Sequence, residues 1–577
     1  MASLGSQYPN LYFLNLEKTS DWRCFSLFFS SKRPLCNLEL LEPDSVQLSE
    51  ESYRERLLAL YDLPRSYFLD LLNPRNKHSI GASSCLVEAH YVDRESAVVY
   101  SFLYSRAFRD YPRRAVRLHF FSKEVDYDHL LDQKYLQDAY LGFVVLSAHG
   151  RISRAVLSPP RAGRTWWFFP AHVDYPVNLA GVPLQAVGVP FAQQDGRISA
   201  CATASAWMST VILASLYGFD TFVRSMPEIT ALATQSSLPP HGRVGPPTLN
   251  VSQLLWALRE MGYEPLVYDA VDPEFCREQI YYSIESGIPP LLIIALPHHW
   301  AEPSRESVSH CVTAFGHTYD PKIDPVPLFK AGRWSTSIQC PYFLINDDQI
   351  GPYLKIAIEE PNEYGHGNPA IRLDLTDPFV SRHRKSIWDH WYKDAYLQLI
   401  LILHPPRHIM SLHEAVIKGC SMLASAYDLL SLRYKWVKLH ESPLYRVYLS
   451  SSNRWKQSML PETQKGGRVG LNEELSRYFR GHQYPKYIWI IELSDARQRV
   501  GARPEDLRVF ADITIDPTSD PEDMDFLTMH IPGLFMRMFP WDQDELSAIE
   551  NHHIVLSSKD TPYQPFISPL YREPTSL

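Results

Sequence analysis

The chain has 577 residues, of which 45% are hydrophobic, 21% charged and 12% aromatic, with a formal net charge of −9. This composition excludes a disordered or collagen-like chain, and the acidic balance argues against a dedicated nucleic-acid binder, which carries a basic domain. At about 100–200 residues per domain, the length predicts two to four domains.

The opening stretch MASLGSQYPNLYFLNLEKTSDW has no basic segment followed by an apolar one, so it does not read as a secretory signal. No run of about 18 apolar residues occurs, so no membrane span is predicted. The eight cysteines are scattered and form no disulfide framework. Together these features predict a cytoplasmic protein of a reducing compartment. The 45 prolines predict many loops.

Residues 1–180 mix short helical and strand signals and read as an N-terminal α+β module. A helix is predicted over residues 49–64, opened by Ser49 and an acidic first turn. The stretch SCLVEAHYVDRESAVVYSFLYSRAF reads as a strand and then a helix, and RAVRLHFFS and LGFVVLSAH read as strands. Arg106, Arg109, Arg113, Arg114 and Arg117 read as a solvated helix face and strand edge, with an anion or acidic-peptide site as the alternative.

The texture changes over residues 181–400. A strand in GVPLQAVGVPF leads to a helix from Cys201, a Pro/Gly-rich loop over 236–250 and a helix in VSQLLWALREMGY. Strands EPLVYDA, PLLIIAL, VSHCVTAFGHTYD and CPYFLINDDQ follow, with a helix in PEFCREQIYYSIESG between the first two. A helical half followed by an antiparallel half predicts an α+β domain. Residues 401–577 read as a C-terminal α+β module, with a long helix in SLHEAVIKGCSMLASAYDLLSLRYKWV and strands in LYRVYLSS, KYIWIIELS and LRVFADITID. Lys465-Gly466-Gly467-Arg468 reads as a turn or linker.

Three features of the middle segment carry chemistry. In the helix opened by Cys201, apolar residues recur at Ala204, Trp207, Met208, Val211, Ile212 and Leu216, the spacing of a core-facing helix. Cys201 stands at its N-terminal end, where free N–H groups and the helix dipole favour a thiolate. His310 lies in a predicted strand and can act as a general base if a third group fixes its tautomer. Strand alternation puts His310, Val312 and Ala314 on one face and Cys311, Thr313, Phe315 and His317 on the other. The two histidines therefore cannot serve one site without a bulge. The next strand ends in Asn346, Asp347 and Asp348 before a turn at Gly351-Pro352, and a carboxylate there can orient the imidazole.

Metal and cofactor signatures are weaker. Cys276, Cys311 and Cys340 lack CxxC spacing, and His298, His299 and His310 lack an HExxH companion. No Walker loop or dinucleotide fingerprint occurs. No metal or organic cofactor is expected.

In their order, these features resemble the papain-like cysteine peptidases, and over roughly residues 181–360 they are most similar to the bacteriocin-processing (double-glycine leader) peptidases. The resemblance rests on Gln194 upstream of Cys201, the CATASAWM helix, HCVTAFG and INDD. It implies a papain-like core, a central helix packed on an antiparallel sheet, spanning residues 181–400 between the two flanking modules. It assigns Cys201 as nucleophile, His310 as base, Asp347 as orienting group and Gln194 as oxyanion donor. Gln193 competes with Gln194, and Asn346 and Asp348 with Asp347. The sequence departs from the family at Ala202, where Gly is usual, and in the long stretch between His310 and Asp347, whose DPKIDPVPLFKAGRWSTSIQC reads as an inserted surface loop.

The implied function is a cysteine protease that cleaves peptide or isopeptide bonds of a protein or peptide substrate, in bacterial regulation or defence. Deamidation or acyl transfer through the same thioester is the alternative, and a non-catalytic scaffold is a third reading. The flanking modules are assigned to substrate recognition or to a regulatory protein partner.

Overall fold

The computed structural model describes residues 2–3, 11–18, 63–106, 108, 111, 113–147, 151–161, 164–194, 200–218, 223–235, 249–296, 308–327, 335–363, 365, 367–374, 392–404, 410–433, 443–458, 480–481, 483–523, 525–531, 534–537 and 571–572. Residues 49–62 of the helix expected from Ser49, Arg109, the loop at 236–248, His298, His299 and the Lys465–Arg468 turn lie outside these residues.

Twenty-two strands are described. The first nine are β1 (Ala2–Ser3), β2 (Leu11–Asn15), β3 (Ser84–Tyr91), β4 (Ala115–Phe121), β5 (Tyr140–Leu146), β6 (Ile152–Leu157), β7 (Trp166–Phe168), β8 (Val173–Leu179) and β9 (Val182–Phe191). The middle seven are β10 (Glu264–Asp269), β11 (Leu291–Leu296), β12 (Val308–Tyr319), β13 (Phe343–Asp347), β14 (Gly351–Glu359), β15 (Ala370–Leu373) and β16 (Tyr396–His404). The last are β17 (Pro443–Ser451), β18 (Tyr487–Asp495), β19 (Ala511–Ile515), β20 (Thr528–Ile531), β21 (Leu534–Arg537) and β22 (Tyr571–Arg572).

They form three antiparallel sheets. The first, in the order β1-β2-β3-β4-β5-β6-β9-β8, curves into a half-barrel. The second runs β10-β16-β15-β14-β13-β12-β7-β22, and β11 pairs with both β12 and β16. That double pairing closes β11 to β16 into a six-stranded barrel. The third sheet runs β17 to β21 in sequence. Strands also cross the segments marked out by sequence, since β7 and β22 both join the second sheet.

The expected papain-like α+β class is therefore corrected: the chain is mostly β, and its middle segment is a closed barrel rather than a helix laid on an open sheet. Two physical reasons account for the difference. Several strands are short or carry proline, such as β8 with Pro176, and give little periodic signal. Barrel closure pairs Leu291–Leu296 with Tyr396–His404, a contact between distant segments that no local pattern encodes.

The 17-residue Cys201–Tyr217 helix is buried on nearly all sides, as its all-round apolar composition requires. It packs between the half-barrel, at β8 and β9, and the barrel, at β11 and β12. The Ser205 hydroxyl donates to the Cys311 carbonyl at 2.8 Å, and the Thr313 hydroxyl donates to the Ser205 carbonyl at 3.0 Å. These bonds fix the helix against β12. Gly218 ends it in the left-handed conformation, φ 72°.

Arg117 departs from the solvated reading of its cluster. It is buried, pairs with Glu88 at 2.7 Å, donates to the Asn178 carbonyl at 2.6 Å and stacks on Tyr91. Arg106, Arg113 and Arg114 are exposed. The expected surface loop before Cys340 is also corrected at its end: Ser335, Thr336, Ser337 and Gln339 are buried, and Ser335 bridges to Tyr445 of β17.

Candidate active site

The register of β12 and β13 assembles the site. Thr313 pairs with Asn346, so the following residues, Asp347 and Asp348, run back past the start of β12, where His310 sits. The turn that carries them closes at Gly351, opposite Asp347. Gly351 has φ +154°, and a Cβ there would meet the Tyr67 ring at 2.3 Å, so only glycine fits.

Cys201 is the first residue of its helix and is half-buried. Ala200 caps the helix through Thr203, whose hydroxyl donates to the Ala200 carbonyl and accepts from its N–H. The Cys201 side chain is hydrogen-bonded to the His310 ring. His310 Nε2 faces Asp347 Oδ1 at 3.1 Å and Asp348 Oδ1 at 3.9 Å. With Nε2 turned to the carboxylates, Nδ1 is the ring atom left for the thiol.

Asp347 is itself held in place. Its Oδ1 accepts the Gln349 N–H at 2.8 Å and its Oδ2 accepts the Tyr392 hydroxyl at 2.9 Å. Burial alone would lower the His310 pKa, but the Asp347 carboxylate, followed by Cys201, holds it well above the usual imidazole range. Burial pushes Asp347 the other way, yet the His310 charge and hydrogen bond, with Gln349 and Tyr392, keep it below the usual carboxylate range. Burial, with Asp347 beside it, drives Asp348 up to about 7, against the pull of His310 and of the Asp348 and Gln194 backbone N–H groups. The pair of carboxylates thus divides into a charged Asp347 and a neighbour that gives up its proton reluctantly.

The rivals separate by location. Asn346 is a structural clamp: its Nδ2 donates to the Pro190 carbonyl at 2.8 Å, and its Oδ1 accepts the Tyr353 N–H at 3.3 Å. Gln193 is buried, and its Oε1 accepts the Ile152 N–H at 3.3 Å, which ties it to β6. Gln194 is half-buried, and its backbone N–H acts on Asp348, so it borders the site. Residues 195–199 and 297–307, which flank Cys201 and β12 in sequence, lie outside the described residues.

Sequence reasoning missed Tyr392. It lies 45 residues beyond Asp347, in a stretch without a motif, and only the fold brings it to the carboxylate. It also set aside His317, which joins a separate cluster with Glu285 and Cys340. The ligating atoms of His310, Asp347 and Asp348 lie within 4.8 Å of one another, a spacing that a divalent cation could span.

No protein-family model matches the chain, and no curated protein matches it in sequence. Among the described residues, no helix is long and apolar enough to cross a membrane.

Proposed function

We propose that the protein is a cysteine-dependent hydrolase of peptide or isopeptide bonds, with Cys201 as nucleophile, His310 as general base and acid, Asp347 as the group that orients the imidazole, and Gln194 as an oxyanion donor. One observation carries the reading: the Cys201 side chain bonds to His310, whose other ring nitrogen faces a buried, doubly hydrogen-bonded carboxylate. The order of these residues along the chain, which resembles that of papain-like peptidases, supports the reading at the level of the site.

In this mechanism the proton of Cys201 passes to His310, and the resulting imidazolium is stabilised by Asp347. The sulfur attacks the carbonyl carbon. The oxyanion is met by the backbone N–H of Cys201 at the helix start and by the side chain of Gln194, each donor supplying about 2.7–4 kcal/mol in such sites. His310 then gives its proton to the leaving amine, leaving a thioester. Water, deprotonated by the same imidazole, releases the acid and the thiol. Where an amine replaces water, the same thioester gives acyl transfer.

The test is iodoacetamide labelling of the full chain, read by peptide mass mapping at Cys201, with turnover of a peptide library followed in parallel. Cys201 should react faster than a free thiol at neutral pH, and its labelling should track loss of peptide cleavage. A rate no faster than the free thiol would favour the scaffold reading. Activity that survives a chelator supports the thiol mechanism, whereas activity lost with a chelator and restored by a divalent cation would move His310, Asp347 and Asp348 to a metal site. Addition of a free amine separates hydrolysis from transfer, since only a transferase would divert most of the product to the amide.

A further inference from the structure

His317 is seven residues past His310 on β12, roughly 23 Å along an extended strand, and it belongs to a different constellation. Its Nδ1 is shared between the Thr318 carbonyl at 3.1 Å and Cys340 Sγ at 3.5 Å, and its Nε2 lies 2.5 Å from Glu285 Oε1. Glu285 accepts from Arg446 Nε at 2.6 Å, and Arg446 also donates to Glu492 at 2.8 Å. The order thiol, imidazole, carboxylate is thus repeated at a second place in the molecule. Burial would lower the His317 pKa, but Cys340 and Glu285 hold it up at about 10. Glu285, for which burial acts upward, is held down to about 2 by Arg446 and His317. The sulfur therefore rests against a cationic ring. Burial pushes the Cys276 and Cys311 thiols up, Cys276 to about 12.

This cluster lines an open cavity between the barrel and the third sheet. Phe168 and Tyr319 form an aromatic wall. Arg499 lines the same cavity and is more than nine-tenths buried. Its Nε donates to Gln339 Oε1 at 2.7 Å, and its guanidinium reaches the Ser494 hydroxyl at 3.4 Å. Both partners are neutral, and Gln339 directly precedes Cys340. A buried guanidinium satisfied by neutral groups, in the same cavity as a thiol beside a cationic imidazole, is suited to a carboxylate whose neighbouring carbon is open to attack.

We infer that Cys340, His317 and Glu285 form a second nucleophilic thiol site, distinct from Cys201, that takes small carboxylate-bearing electrophiles, with Arg499 receiving the carboxylate. With iodoacetate, Cys340 sulfur forms a bond to the methylene carbon while the carbon–iodine bond breaks and iodide leaves with its electron pair. The thiol proton passes by way of the adjacent His317 to solvent as the bond forms. No oxidant or reductant enters.

The experiment treats the full native chain with iodoacetate or with neutral iodoacetamide and maps the labelled cysteines by mass. Cys340 should be labelled while Cys276 and Cys311 stay unmodified. The ratio of iodoacetate to iodoacetamide rates at Cys340 should exceed the ratio for glutathione in the same buffer by about tenfold, the effect of one charge-assisted contact. Arg499→Gln should bring that ratio back to the free-thiol value, and His317→Gln should slow labelling by both reagents. Labelling of Cys340 only after denaturation would overturn the inference, as would a reagent ratio equal to that of glutathione. The ratio in the unaltered chain decides the matter even if either variant fails to fold.

Discussion

Tyr392 donates its hydroxyl to Asp347 Oδ2 at 2.9 Å, while Oδ1 of the same carboxylate faces His310 Nε2 at 3.1 Å. The orienting carboxylate is thus gripped from the side opposite the histidine. Tyr392→Phe removes that grip without changing the ring packing. We expect kcat to fall by about tenfold, the cost of one hydrogen bond to a charged group, with KM nearly unchanged. A rise in KM at constant kcat would place Tyr392 in substrate binding instead.

In the proposed mechanism Cys201, His310 and Asp347 act as a unit. Cys201→Ala should abolish turnover, and His310→Ala should be nearly as damaging. The double variant should be no worse than either single one, because each already removes thioester formation. Each should melt within a few degrees of the parent, checked by circular dichroism. Full activity in folded Cys201→Ala protein would end the proposal.

The two adjacent glutamines should part company. Gln194→Ala removes an oxyanion donor and should lower kcat by about 10²–10³. Gln193→Ala leaves the buried Ile152 N–H without its side-chain acceptor and should cost about 1–3 kcal/mol of stability. Urea unfolding and steady-state kinetics on both variants distinguish the roles. An inactive but fully stable Gln193→Ala variant would transfer the oxyanion role to that residue.

Because Asp347 raises His310 above the ordinary imidazole range, an imidazolium formed there gives up its proton at higher pH than a free histidine does. In the proposed mechanism this is the proton delivered to the leaving amine. The alkaline limb of the kcat/KM profile should lie above about 6.5, the free-histidine value. An alkaline limb at that value would show that Asp347 does not stabilise the imidazolium.

Stability carries its own pH signature at Glu95. Burial and the neighbouring Asp93 raise its pKa to about 7, against the pull of Arg154 and Arg94. The folded state thus holds this proton more tightly than the unfolded chain does. Its contribution is complete below the unfolded value, near 4.3, and is lost as pH rises to about 7 and beyond. The shift amounts to about 4 kcal/mol at most. Glu95→Gln should therefore stabilise the protein at pH 8 more than at pH 5, measured by urea unfolding at both. An equal effect at the two pH values would contradict the assignment.

Much of the candidate site's arrangement is legible in the sequence, because its parts stand at element ends. A cysteine opening an apolar helix, a histidine early in a strand and carboxylates at a strand end are each visible as local pattern. The geometry that selects among the rivals is not. Asn346, Asp347 and Asp348 are consecutive polar residues, and only the pairing of Thr313 with Asn346 decides which one reaches Nε2. The second cluster escaped for a related reason. Glu285 ends a helix, Cys340 follows a short turn and Arg446 lies in the third sheet, so they are neighbours only across sheets. The fold class was misjudged because β14, β15 and β16 close a ring, and closure is a property of distant partners rather than of any one segment.

That ring also sets when the site can exist. Cys201 leaves the ribosome long before β16 does, yet β11, which flanks the His310 strand, gains its second neighbour only when Tyr396–His404 arrives. Tyr392 arrives just ahead of that strand. Pairing between such distant segments forms late, after the loop between them has been closed. A nascent chain shorter than about 400 residues thus carries the Cys201 thiol before β16 and Tyr392 complete its surroundings.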